Sequence, residues 1–170
     1  MDVNLGRIAV SLVARPGSAP SGAHEALQVS SLALDQALQA VSFNFDPPAY
    51  IPSGFEFRDA AHVSGARELL ILTYVRQAPS SGGSFTLVYA PVTQYRSSDG
   101  GGRYLVVGDI LSQTMVGAHA AALVSTEARA GGPQALALVW ENGDFLQHLM
   151  GLNLAGGDLR RIAESVPAMP

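Results

Sequence analysis

The chain has 170 residues and a formal net charge of −4, with 48% hydrophobic residues, 14% charged residues and no cysteine. That composition excludes a disordered chain, disulfides, thiolate nucleophiles and cysteine-ligated zinc. The acidic balance argues against a nucleic-acid partner, since neutralising phosphates takes a basic face.

The length suits one domain with a single sizeable core. No apolar run reaches the roughly 18 residues that a membrane-spanning helix needs. Ile8 to Ala14 is apolar between Arg7 and Arg15; it is too short to span and reads as a first strand or a leader. Residues 15–24, RPGSAPSGAH, have the Pro and Gly content of a linker. Residues 1–24 are therefore expected to be a leader and linker with a possible short strand, and residues 25–170 a single α+β domain.

Ser30 or Ser31 is a candidate cap for a first helix. Leu34, Ala37, Leu38 and Val41 then fall at helical spacing on one face. The stretch FNFDPPAYIPSGFEF, residues 43–57, ends that helix. Pro47 and Pro48 cannot continue it and push Asp46 toward extended backbone. Pro52-Ser53-Gly54 supplies a turn, with proline expected at its first central position. The segment reads as a rigid elbow whose aromatics, Phe43, Phe45, Tyr50 and Phe55, pin it to the core.

Strand periodicity follows. Phe55 to Val63 is one strand. Glu68 to Arg76 is a second, apolar on both faces and so expected to be central and covered twice. QAPSSGG is a polar loop, Ser84 to Val92 alternates as a third strand, and RSSDGGGR is a second loop. Tyr104 to Leu111 and about Met115 to Ser125 are read as two more. In QALALVWENGDFLQHLMG, Asn142-Gly143 is the preferred pair for a two-residue type I′ turn. That turn would set Glu141 opposite Asp144 at an exposed tip, Trp140 opposite Phe145 and Leu138 opposite Gln147. Leu136, Leu138, Trp140, Phe145 and Leu149 then share the core face; Val139, Leu146 and Met150 fall on the other. Leu159, Ile162, Ala163 and Val166 form the apolar stripe of a last helix that Pro167 ends. The expected fold is α+β: a curved antiparallel sheet of about six strands packed against an N-terminal and a C-terminal helix.

The pieces ALQAVSF, PPAYIPSGF, LALVWENGDFLQHLMGLNL and DLRRIAESV occur in that order. Together they resemble a bacterial family of unknown biochemical activity. Its members often form the extracytoplasmic C-terminal part of membrane-anchored, anti-sigma-factor-like or sporulation-related regulators. Phe43, Pro48, Tyr50, Pro52, Gly54, Phe55, Trp140, Gly143, Ala163, Glu164 and Ser165 carry the resemblance, over about residues 32–166. It implies a sheet curved like that of periplasmic lipoprotein carriers and a setting in the cell envelope. It also implies membrane attachment through a segment upstream of the matched part.

Chemistry-bearing motifs are sparse. His24, His62, His119 and His148 show no metal-ligand spacing, no GxSxG occurs, and DGGGR lacks the lysine and helix of a phosphate loop. Asp109, after Gly108, reads as a bulge or strand-end residue. No catalytic residue, metal site or cofactor is expected. The expected function is a non-catalytic extracytoplasmic sensor or regulatory domain that binds a protein partner or envelope component. An alternative is a carrier of an apolar small molecule in a groove between sheet and helices. A hydrolase using a serine or a histidine-bound metal is the remaining reading. Candidate contacts to a ligand or partner are Phe45, Tyr50, Tyr74, Leu146 and Met150.

Overall fold

The structure, a computed structural model, describes residues 2–13, 28–65, 67–77, 82–95, 102–126 and 134–169. Linker residues 15–24 with His24, most of the 96–103 loop and part of the 77–83 loop lie outside them. The strands are β1 (Asp2–Asn4), β2 (Ile8–Val13), β3 (Gln28–Leu32), β4 (Phe55–Ser64), β5 (Leu69–Arg76), β6 (Gly83–Pro91), β7 (Gly102–Val107), β8 (Ile110–Val116), β9 (His119–Ser125), β10 (Ala135–Asn142) and β11 (Phe145–Leu152). The helices are α1 (Leu34–Ala40) and α2 (Gly156–Glu164).

The class is α+β, as the sequence suggests, with more strands than about six. Eight form one antiparallel sheet in the order β3-β4-β5-β6-β11-β10-β9-β8. It consists of two four-stranded meanders, β3 to β6 and β8 to β11, joined where β6 pairs with β11. A small second sheet, β1-β2-β7, includes a parallel pair, β2 with β7.

Two cores result. On one face of the large sheet, Leu70, Leu72 and Tyr74, Phe85, Leu87 and Tyr89, Leu138, Trp140, Phe145 and Leu149 meet Leu159, Ile162 and Ala163 of α2 and Phe45 of the elbow. On the other face, Leu111, Val124, Val139 and Leu146 meet Val3, Ile8, Val10 and Val106 of the small sheet. β10 and β11 are thus covered on both sides, which explains their apolar residues on both faces. β5 was expected to be the doubly covered strand. Its Leu70, Leu72 and Tyr74 are buried, but Leu69, Ile71, Thr73 and Val75 are only half-buried, because the small sheet packs on the β8–β9 side.

Several local expectations need correction. Ser30 and Ser31 lie in β3 and cap nothing. Ala33 is the N-cap of α1, and its N–H donates to Gln36 Oε1 at 3.1 Å. α1 is only seven residues long and buries Ala37; Leu38 is 50% exposed, so the expected apolar face is narrower. In the elbow turn the Phe55 N–H donates to the Pro52 carbonyl at 3.1 Å. Ser53 and Gly54 are therefore the central residues, with Gly54 at φ +81°, and Pro52 precedes them.

The expected strand Tyr104 to Leu111 is two strands in different sheets, broken at Gly108-Asp109. A Cβ on Gly108 would lie 2.4 Å from Val124 Cγ1, so only glycine lets the chain cross so close to β9. Asp109 sits at the strand end, and its N–H donates to the Ser125 carbonyl at 3.0 Å. The stretch from Met115 to Ser125 likewise turns at Gly117-Ala118, between β8 and β9.

The last hairpin turns at Gly143-Asp144. Asn142 faces Phe145, Glu141 faces Leu146, Trp140 faces Gln147 and Leu138 faces Leu149. The register differs by two residues from the expected one. An even shift preserves the faces, so Trp140 and Phe145 still point into the core. Gly143, at φ +59°, takes the first central position, which a type II′ turn reserves for glycine. Asn142 therefore ends β10, where the C-terminal tail engages it: Asn142 Nδ2 donates to the Pro167 carbonyl at 2.8 Å, and Oδ1 accepts the Met169 N–H at 3.2 Å.

Candidate ligand-binding groove

α2 is held from one flank. Asp158, Arg161 and Ser165 recur at i, i+3 and i+7 and face the elbow. The Ala49 N–H donates to the Ser165 carbonyl at 3.1 Å, and the Tyr50 N–H to Ser165 Oγ at 3.0 Å. The Tyr50 hydroxyl donates to Asp158 Oδ1 at 3.0 Å, and the Arg161 guanidinium lies 4.1 Å from the Tyr50 ring centroid. Asp46 adds a further tie, its carbonyl accepting the Tyr89 hydroxyl at 2.7 Å. The elbow and the end of the last helix, distant in sequence, form one joint.

The opposite flank of α2 looks toward β8. There helix and sheet separate, leaving a groove of about 320 Å³. Leu123, Leu136, Leu138 and Leu159 form its walls, and Gly156 and Gly157 open its upper edge. At its mouth an Arg160 guanidinium N–H donates to Thr114 Oγ1 at 3.1 Å. A smaller hollow of about 200 Å³ lies farther along the same flank, beside Trp140, His119 and Glu164.

Three polar clusters lie elsewhere. Glu68 accepts the N–H and the hydroxyl of Ser42, and its Oε1 is 3.1 Å from His62 Nε2. These residue types suit a hydrolase, but their order does not. The carboxylate stands between serine and histidine, whereas activation requires the histidine on the serine. Burial pushes the Glu68 carboxyl up, and the Ser42 and His62 hydrogen bonds outweigh it and hold it below the usual range. It is a poor base. The group ties the end of α1 to the start of β5.

The second cluster is Tyr104 with His148. The hydroxyl is 2.9 Å from His148 Nδ1, across the interface between the small and large sheets. Burial pushes the His148 imidazole down to about 4 and raises the Tyr104 phenol. His148 faces Val139 on β10, on the side away from Trp140.

The third joins the expected hairpin tip to the chain's start. Glu141 Oε1 accepts the N–H groups of Arg7 and Ile8 at 2.8 and 2.7 Å, and Oε2 accepts Arg7 Nε–H at 2.8 Å. Arg7 also bonds Asp144 Oδ1 at 2.7 Å and the Gly143 carbonyl. Glu141 is therefore no solvated tip residue. The bonds from these two carboxylates raise the Arg7 pKa. No local signal could announce a contact across more than 130 residues of chain.

The candidate contact residues do not converge. Phe45 packs on Tyr89, Tyr74 stacks on Phe85, and Leu146 lies in the second core; all three are buried. Tyr50 is half-buried in the elbow joint, and Met150 is 46% exposed. None lines the groove. Of its residues, Leu136, Leu138 and Leu159 were legible, and only as core leucines. Among the described residues no group of three or more His, Asp or Glu is placed to hold a metal ion, and no helix is long and apolar enough to cross a membrane. The chain matches no family model, no curated protein and no solved structure.

Proposed function

We propose that this chain is a non-catalytic binding domain that takes an apolar ligand in the groove between α2 and β8–β10. The groove carries the reading. It has four leucine walls, a volume at the small end of the roughly 300–1,000 Å³ typical of ligand pockets, and a polar pair at one mouth. Rigidity supports it as well. α2 is fixed to the elbow on its far flank, so the groove is held open by hydrogen bonds that no ligand need disturb. The extracytoplasmic, membrane-anchored regulatory setting rests on the resemblance of elbow, hairpin and last helix. In that setting ligand occupancy would be the sensed event.

The test fills the groove without harming the fold. A Cβ on Gly156 would sit 3.7 Å from Leu136 Cδ1, ordinary contact distance. Gly156→Leu should therefore project into the groove and, by removing a helical glycine, raise stability by up to about 1 kcal/mol. The uncharged fluorophore N-phenyl-1-naphthylamine should bind the wild type saturably at one site and bind Gly156→Leu at least about tenfold more weakly. Equal binding by both proteins, or no saturable binding by the folded wild type, would overturn the reading.

A further inference from the structure

We infer that the groove's ligand is a single-chain fatty acid, its chain among the leucines and its carboxylate at Arg160. This rests on the groove being a binding site, as proposed above.

The groove's size suits a single chain. At about 30 Å³ per water-sized group, 320 Å³ holds about ten such groups. That suits one acyl chain of about ten carbons lying along the leucines.

The charge at its mouth suits a carboxylate. Six of the seven described arginines have a carboxylate or an aromatic ring as partner: Arg7 on Glu141 and Asp144, Arg58 on Asp59, Arg103 on Asp2, Arg67 over Tyr95, Arg76 over Phe55 and Arg161 over Tyr50. Arg160 has neither among the described residues. Its described partner is the neutral Thr114 hydroxyl. Accepting from Arg160 leaves that hydroxyl's own hydrogen to donate. An uncompensated cation and a second donor thus stand together where the apolar walls end. A planar guanidinium matches a carboxylate in charge and in fork geometry; a phosphate monoester carries about −1.5 to −2 and would leave negative charge unmatched.

The neighbouring carboxylates agree with this placement. Asp158 is turned to the elbow flank, where it accepts the Tyr50 hydroxyl. Glu164, one turn after Arg160 on the groove's flank, borders the smaller hollow and repels an anion placed there. The head is thereby confined to the Arg160 end.

Displacement of N-phenyl-1-naphthylamine by decanoate, decanol and decyltrimethylammonium, each below its micelle concentration, tests the inference. Decanoate should displace the probe at roughly tenfold lower concentration than the other two, the size expected of a charge-assisted hydrogen bond, and added salt should narrow the gap. Arg160→Gln should remove decanoate's advantage and bring its displacement to the level of decanol measured on the same variant. Equal displacement by all three, or an Arg160→Gln variant that still prefers decanoate, overturns the head-group assignment. The groove reading survives that outcome if Gly156→Leu still abolishes probe binding. Failure of the probe itself removes both.

Discussion

At the residue scale, the knot of Arg7 with Glu141 and Asp144 shows how a carboxylate in a turn and one just before it avoid repulsion. Both accept from one guanidinium, and Glu141 also satisfies two backbone N–H groups that the β1–β2 turn leaves free. The carboxylates are unequal. Glu141 is 12% exposed and Asp144 76%. Glu141→Gln should cost about 1–3 kcal/mol in urea unfolding, since two part-buried backbone N–H groups and a guanidinium lose a charged acceptor. Asp144→Asn should cost at most about 1 kcal/mol. Equal losses would show that Glu141 is not the anchor. His148 gives a pH signature. Its folded pKa lies near 4 against 6.5 unfolded, so the unfolded chain binds the extra proton between those values. Its contribution is present above pH 6.5 and is lost as pH falls to 4, a change on the order of 3 kcal/mol. Urea midpoints at pH 7 and pH 4 should differ less in His148→Gln than in the wild type. An identical drop in the variant would assign the acid loss to other groups.

At the element scale, the elbow and the last helix were legible separately and their union was not. Proline and glycine spacing announces a rigid turn, and the i, i+3, i+4, i+7 stripe announces α2, because both signals are local. That Ser165 serves as acceptor for Tyr50 depends on a tertiary contact between positions more than 110 apart. The joint now explains why an A-E-S helix end and a P-x-Y-x-P segment occur in one chain. Ser165→Ala should cost about 1–2 kcal/mol, leaving the Tyr50 N–H without its acceptor. Tyr50→Phe, which keeps the ring under Arg161, should cost less. If Ser165→Ala unfolds at the wild-type midpoint, the joint does not hold the helix. The hairpin teaches a related point. Asn142-Gly143 has the composition of a type I′ turn, and Gly143-Asp144, with Gly143 at φ +59°, that of a type II′ turn. Nothing local chooses between them, and the tail that holds Asn142 is a tertiary contact, while period-2 patterning kept the faces right. The split of the strand at Gly108 was hidden for the same reason: the partner that demands glycine, Val124, lies across the sheet.

At the scale of the whole molecule, three layers make two cores: helices and elbow, then the large sheet, then the small sheet. Apolar residues on both faces of Glu68 to Arg76 suggest double coverage, and the same pattern there and in the last hairpin suggests a groove. The structure has both, and they meet on β10. The β10–β11 centre is covered twice, and the groove opens where α2 stands off β8–β10. Its leucines could not be told from core leucines by pattern, since the groove is a gap in packing rather than a change in residue type. The most direct test is a crystal structure grown with 10-bromodecanoate, whose bromine is located by anomalous scattering. Expected is one bromine among Leu123, Leu136, Leu138 and Leu159, with the carboxylate on Arg160. Bromine only on the outer face of the small sheet, beside exposed Leu105 and Val107, or no bound bromine at saturating ligand, would contradict it.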